Sequence, residues 1–552
     1  MNTVDAIADQ YVTDFSELNP VAATSMGIIG RDDLLTDLSP AGFEALAALC
    51  AQALADLSTA QAVTERDRIA KAAMIERLTV ARELYESGAI TSDVNVISSW
   101  IQGVRQVFDL MPVRGAEAHE ALAARMRGVS AAYEGLRQTF ASAASKGRVS
   151  AQRQIVGCAR QCAEWSAPET GFYFGLVGRT QAVGPIRAEL DEAALAATAA
   201  TAEFGQFLQA ELLPLAPEKD AVGRERWALA SRGFLGATID PEEAYAWGWA
   251  EVLRIEEEMR RIAGKIVPGG CVADAVAALD ADPARRITGR DALREWMQGT
   301  ADQTIAELNG THFDIPEPAR RIEAMIAPTD DGGIYYTGPS EDWSRPGRMW
   351  WSLPGGVEDF STWKELTTIY HEGVPGHHLQ VAQAVFLREQ LNRWQRLMCW
   401  VSGHGEGWAL YAERLMDELG YLSDPGNKLG MLDAQLLRAA RVVVDLGVHL
   451  EFTVPADSPW RPGERWNADL AWEFLRSRVQ VDDAMLRFEL DRYMGWPGQA
   501  SSYKLGERIW LKARDDARAR KGAAFDLQAF HSRALALGSI GLEPLQEALA
   551  RF

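Results

Sequence analysis

Three of the chain's eight histidines fall within eight residues, in Tyr370-His371-Glu372-Gly373-Val374-Pro375-Gly376-His377-His378. Imidazole is a common zinc ligand, and a catalytic zinc takes three protein ligands and keeps one position open. A ligand His followed directly by Glu lets the carboxylate take a proton from an attacking water. His371 and Glu372 are therefore the first pair to read for metal-assisted hydrolysis.

The usual spacing of such a pair is His-Glu-x-x-His, with the ligands one turn apart. Here the fifth position is Pro375. On a straight helix His377 lies about 120° round from His371, whereas His378 shares its face but sits about 10 Å further along the axis. His377 is the first choice for second ligand and His378 the alternative, and either needs the helix to bulge or break. Pro375 cannot donate to the carbonyl of His371, and Gly373 and Gly376 permit unusual backbone angles, so a π-bulge or kink is expected.

A third ligand is sought on a following helix. Glu406 stands behind Ser402-Gly403-His404-Gly405, read as a flexible stretch, and opens an amphipathic run with Trp408, Leu410, Tyr411 and Leu415. The expected cofactor is one Zn2+ per chain, held by His371, His377 and Glu406. Glu413, two turns on, reads as a supporting or ion-pairing carboxylate, and His404 as a loop residue.

Arg438, Arg441, Asp445 and His449 fall at helical spacing, with i,i+4 pairs at Arg441/Asp445 and Asp445/His449. They read either as an ion-pair network on a partly buried helix or as groups that orient ligands or clamp a substrate carboxylate. Hydrolysis through an oxyanion needs a donor opposite the metal. Tyr503 is the first candidate and Tyr493 the second, both placed in an irregular Gly- and Pro-containing segment. Lys504 and Arg492 are candidates for binding a substrate terminus. Tyr335, Tyr336 and Arg345 are expected to line the cleft, where an edge strand could pair with an extended peptide.

These runs carry a likeness. Tyr370 to Gln380, Glu406-Gly407-Trp408-Ala409-Leu410-Tyr411-Ala412-Glu413, Pro497 to Gly506, Arg345-Pro346-Gly347 and Arg441 to His449 resemble the bacterial domain-of-unknown-function 885 family, over nearly the whole chain. The resemblance implies a zincin-like fold of the Glu-zincin metallopeptidase type. It also points to Glu406 as a ligand.

The elements that must position these residues are mostly helical. Residues 1 to about 265 read as successive helices, including Gly42 to Leu57, Glu65 to Gly88, Ala116 to Ala144, Arg187 to Leu213 and one opening at Asp240-Pro241 and running through Ile262. Between Asn309 and Pro354 the composition turns to Pro, Gly, Asp and aromatics, and Ile334–Thr337 and Arg348–Leu353 read as strands. Asp359-Phe360-Ser361 offers caps for a helix running into His371. Thr453 to Trp466 and Tyr493 to Ser502 read as irregular. The expected fold class is mainly α, a large multi-helix zincin-like metallopeptidase fold with a small β-sheet beside the metal site. The expected division is an N-terminal helical region at 1–230 and a metal-site region at 231–552 with a sheet near 330–355, or one continuous domain.

Composition narrows the partners. A net charge of −21 over 552 residues gives no basic surface for nucleic acid, whose binding relies on phosphate neutralisation. No run approaches the ~18 apolar residues of a membrane span, and the start reads as lacking a signal peptide. Five scattered cysteines, an odd number, fit a reducing compartment, so a cytoplasmic location is expected. Cys158 and Cys162 read as buried thiols. The function expected is a zinc-dependent metallopeptidase acting on a peptide or small amide. Hydrolysis of esters or non-peptide amides is one alternative, and a non-catalytic metal-stabilised binding protein is the other.

Overall fold

The structure, a computed structural model, describes residues 3–168, 170–327, 333–353 and 356–551. Helices take 68% of the chain and strands 5%, so the mainly α expectation holds. Side-chain caps start several of the helices, and the start read at Asp240-Pro241 is present. Thr64 and Asp67 form a reciprocal capping box for Glu65–Glu86. Asp240 accepts from the Glu243 amide at 3.0 Å, with Pro241 in the first turn of Pro241–Ile266. The expected helix Ala116 to Ala144 is two, Ala116–Arg127 and Val129–Ala144, meeting at Gly128. Pro185–Phe207 passes into a π turn at Leu208–Leu212 ahead of Pro214.

Apolar side chains gather in two buried clusters. One draws on residues between Leu38 and Ala216. The other joins Val4 to Leu78 with Trp227 to Leu549, and the candidate site lies among its helices.

Both expected strands are present. β1 is Arg286–Thr288, β2 Ile322–Ile326, β3 Ile334–Thr337, β4 Gly347–Trp351 and β5 Asp359–Ser361. β4 is the centre of a three-stranded sheet, parallel to β2 and antiparallel to β3. It buries Gly347, Met349 and Trp351 on one face. Residues 330–332 and 354–355 of the expected sheet region lie outside the described residues. Asp359-Phe360-Ser361, expected as caps, forms β5 against β1 instead. Ser361 donates to Asp280 at 3.0 Å, and so does the Trp363 indole. Asp280 thereby anchors the start of the helix Thr362–Glu372, called the His371 helix below.

Three further helices frame the site: Ser402–Glu418 (the Glu406 helix), Pro425–His449 (the Arg441 helix) and Gln499–Lys521 (the Tyr503 helix). The Glu406 and Tyr503 helices approach closely because glycines face each other. A Cβ on Gly407 would stand 2.4 Å from the Gly506 carbonyl carbon, and one on Gly506 would stand 2.0 Å from the Gly403 oxygen. Two expectations are corrected here. Ser402 to Gly405 is the first turn of a helix, and Tyr503 is helical, because only Trp496 to Gly498 is irregular between Asp483–Gly495 and the Tyr503 helix.

Candidate metal centre

The His371 helix stops at Glu372, and the next helix, His377–Phe386, starts at His377. The four residues between them form a break, the second of the two forms expected, and not a π-bulge. The Gly376 amide donates to the Tyr370 carbonyl at 3.0 Å, and the His378 amide to Gly373 at 3.1 Å. The glycines are required, since a Cβ on Gly376 would stand 1.9 Å from the His371 carbonyl oxygen. The Val374–Pro375 bond is cis. The Trp408 indole, from the Glu406 helix, donates to the Pro375 carbonyl at 2.9 Å and fastens the turn.

This break brings His377, not His378, beside His371. The Nε2 atoms of His371 and His377 each lie 3.5 Å from the same Glu406 oxygen. One donor atom from each of the three residues falls within 4.8 Å of the other two. Metal–nitrogen distances of about 2.0–2.1 Å in a tetrahedron put ligand atoms roughly 3.4 Å apart, so this donor set suits a zinc-sized cation. His371 is held from behind. Its Nδ1 donates to Glu413 at 2.7 Å, which fixes the ring with Nε2 toward Glu406. Glu413 also accepts from Thr367 at 3.1 Å and Gln435 at 3.3 Å.

Electrostatics at the cluster are unbalanced. Burial opposes charge on His371, but the Glu406 and Glu413 carboxylates outweigh it and push its pKa up to about 10. Burial raises the Glu372 carboxyl, against the pull of His377 and His371. Glu406 is held well below the usual carboxylate range, its burial overcome by the two imidazoles. Glu372 is 6% exposed, and its Oε2 is buried without a hydrogen-bond partner, as is Nδ1 of His377. Buried polar atoms without partners are uncommon. Here they surround a group of donor atoms that a cation would satisfy.

His378 turns away from the cluster. Its Nε2 donates to the Ala319 carbonyl at 2.8 Å, so its Nδ1 accepts, and the donor is the Tyr336 hydroxyl at 2.9 Å. Burial lowers the His378 pKa to about 4 and keeps the ring neutral. Tyr336 lies within electrostatic reach of Glu372 and Arg345. Gly347 makes room, because a Cβ there would meet both the Tyr336 oxygen and the His378 ring. Tyr335 stacks on Trp350 at 6.0 Å and is partly exposed.

Of the two i,i+4 pairs read on the Arg441 helix, Asp445/His449 is present at 3.7 Å, and Arg441 turns elsewhere. Arg441 pairs across helices, with Glu489 at 2.8 Å and the Tyr493 hydroxyl at 2.6 Å. Tyr493 in turn donates to Glu489 and is fully buried, so it is not a free donor. Asp445 caps another helix from outside. It accepts from the Gly498 amide at 2.9 Å, Ser501 at 2.6 Å and the Trp227 indole at 3.1 Å. His449 donates to the Tyr493 carbonyl at 2.9 Å. These two residues fasten the turn before the Tyr503 helix, while the carboxylate that orients a candidate ligand is Glu413.

Tyr503 is half-buried. Its ring lies 4.8 Å from the Arg441 guanidinium, and its hydroxyl accepts from Arg492 at 3.3 Å, leaving its own proton to donate. Lys504 does not reach a surface cleft. It is fully buried, bonded to Gln435, 2.5 Å from Glu507 and 3.2 Å from Glu251. His404, expected in a loop, is buried in the Glu406 helix with its ring on the Ile540 carbonyl at 2.8 Å. Two further residues neighbour the cluster, and only Arg438 had a part in the sequence reading. Trp400, half-exposed, lies 6.3 Å from the His377 ring. Arg438 is within electrostatic reach of Glu372 and Glu413 and, among the described residues, bonds only to its own helix, at Ala434. Arg438 was visible at helical spacing, whereas nothing local marks Trp400.

The sequence matches the model of the family described as "Bacterial protein of unknown function (DUF885)" over residues 20–549. The chain belongs to this family. No curated protein matches it. Its fold is that of a putative lipoprotein from Colwellia psychrerythraea, at 22% identity over 99% of this chain and 98% of that one, with a TM-score of 0.85. A putative lipoprotein of unknown function from Shewanella oneidensis is similar at 18% identity over 99% of both chains, with a TM-score of 0.77. DUF885 membership thus extends over the whole frame that positions His371, His377 and Glu406. Among the described residues of this DUF885 chain, no helix is long and apolar enough to cross a membrane.

Proposed function

We propose that this protein is a zincin-like zinc metallopeptidase, with one Zn2+ held by His371, His377 and Glu406. The observation that carries the reading is the convergence of these three residues beside a buried, unpartnered Glu372 oxygen. A bound Zn2+ supplies Lewis acidity and makes water a competent nucleophile near neutral pH. Glu372 takes the proton of the attacking water and delivers it to the leaving amine. Glu413 keeps His371 in the tautomer that presents Nε2. Tyr503, whose hydroxyl proton is uncommitted, donates to the oxyanion on the substrate carbonyl. Arg345 and Tyr336, at the sheet side, flank the substrate.

The experiment is metal analysis of zinc-supplemented protein, followed by a chelator-sensitive screen against peptide, ester and non-peptide amide libraries. The expected result is one zinc per chain and cleavage of peptides that the chelator abolishes. Turnover confined to esters or other amides moves the reading to that class. Absence of bound metal sinks it.

The compartment belongs to the same proposal. The five cysteines are unpaired, four of them buried, which suits the reducing cytoplasm. Recovery of the native gene product in a membrane fraction with an acyl anchor would overturn that placement.

A further inference from the structure

Away from the metal cluster, a cleft of about 740 Å³ opens between the N-terminal helices, the helix Arg224–Leu235 and the turn at Trp496. None of the residues of the metal centre lines it. Its walls are largely apolar and include Trp100, Phe234, Met398 and Trp496. Phe234 and Trp496 meet edge to face at 5.2 Å, so this wall is a packed surface. The size and the apolar lining are those of a small-molecule site.

Two opposite charges line the same cleft. Among the described residues Arg226 makes no hydrogen bond and no ion pair, although burial lowers its pKa against the opposing field of Asp93. Arg226 is half-buried and lines the cleft, so its donors stay open to a ligand that enters there. Asp93 is held from behind, with Asn95 donating to both oxygens at 3.1 Å. Burial pushes the Asp93 carboxyl up to about 6. A cation arriving beside it and a carboxylate arriving at Arg226 would satisfy both.

We propose that this cleft binds a short apolar peptide through both its charged ends, with the α-ammonium at Asp93, the terminal carboxylate at Arg226 and the side chains against the aromatic wall. Pairing of a terminal carboxylate with an arginine fork is geometrically favoured, and a ligand with two fixed charges explains why the cleft keeps Asp93 and Arg226 out of contact with each other. The inference does not rest on the metal reading, because no residue is shared.

The test uses the full chain stripped of metal, so that failure of catalysis and failure of this site are separate results. Leucyl-phenylalanine is titrated by calorimetry at pH 7.5, alongside its N-acetyl and its C-terminal amide forms. The free dipeptide is expected to bind, and each blocked form to bind about tenfold more weakly, a change of ~1.4 kcal/mol. R226M is expected to weaken the free dipeptide about tenfold and leave the amide unchanged. D93N is expected to do the same for the free dipeptide and leave the acetyl form unchanged. If R226M does not fold, R226K and the blocked peptides on the parent chain carry the comparison. No binding of the free dipeptide, or equal binding of all three forms, overturns the proposal.

Discussion

Around Glu406 and around Arg441 the protein buries the same kinds of group, and both clusters touch the Arg441 helix. Near Arg441 each ionised side chain meets an opposite charge or several donors. Arg441 and Arg492 share Glu489, and Asp445 takes three hydrogen bonds. Near Glu406 three carboxylates, those of Glu372, Glu406 and Glu413, meet two imidazoles, and none of the three has a Lys or Arg in ion-pair contact among the described residues. One cluster satisfies itself within the chain, as a structural network must. The other is left short of positive charge and holds unpartnered atoms, which is where a ligand or a reaction is to be sought.

The sharpest way to break this contrast is E372Q. Loss of a general base costs typically ~10²–10⁴ in rate, so turnover should fall by about that factor while zinc content stays at the parent level. Full turnover in that variant would remove Glu372 from the mechanism. R441M should act in the opposite manner. Taking away one of the two arginines that share Glu489, with Arg492 still at 3.1 Å, should destabilise the fold by roughly 1–3 kcal/mol, read by urea unfolding, with zinc still bound by the folded fraction.

The same cluster sets a pH limb. Burial would raise the Glu489 pKa, but Arg441 and Arg492 outweigh it and hold it near about 2. Because the folded value is depressed, the stabilisation is present above the unfolded value of about 4.3 and fades as pH falls through about 2. E489Q should flatten unfolding free energy over that window, and an unchanged acid limb would count against the assignment.

E413Q tests the support of the metal cluster. Loss of a ligand-orienting carboxylate typically weakens metal affinity by ~10–100-fold, measurable by competition with a chromogenic chelator. No change would make Glu413 a packing residue. The smallest effect is expected for Y336F. It leaves Nδ1 of buried His378 without its donor, worth about 1–3 kcal/mol of stability, and should leave zinc affinity unaltered. A large drop in affinity would bring the His378 side into the ligand set.

Much of the fold was legible because helices announce themselves locally. The capping box at Thr64, the Asp240-Pro241 start and the strands at Ile334 and Gly347 depend on neighbours a few residues away. The break after Glu372 was legible too, since Pro375 removes a donor and two glycines relax the backbone. Its form was not, because a bulge and a break use the same residues. The helical start at Ser402 was hidden by glycines that lower helix propensity. The purpose of Gly403 and Gly407 shows against Gly506, about 100 residues on, and that of Gly405 against Trp400.

The site divides in the same manner. His371, Glu372 and His377 were marked by residue type and close spacing, because ligand chemistry admits few side chains, and Glu406 by its residue type, its place at the start of an amphipathic run and the family resemblance. Which carboxylate holds His371, which arginine meets which glutamate, and whether Lys504 is buried or exposed were decided by tertiary structure. Those partners lie on different helices, and side-chain spacing along one helix says nothing of the helix packed against it. Arg441 pairs with Glu489 rather than Asp445 for that reason, and Asp445 is drawn to the amide at Gly498, where the start of a neighbouring helix offers a stronger partner than its own.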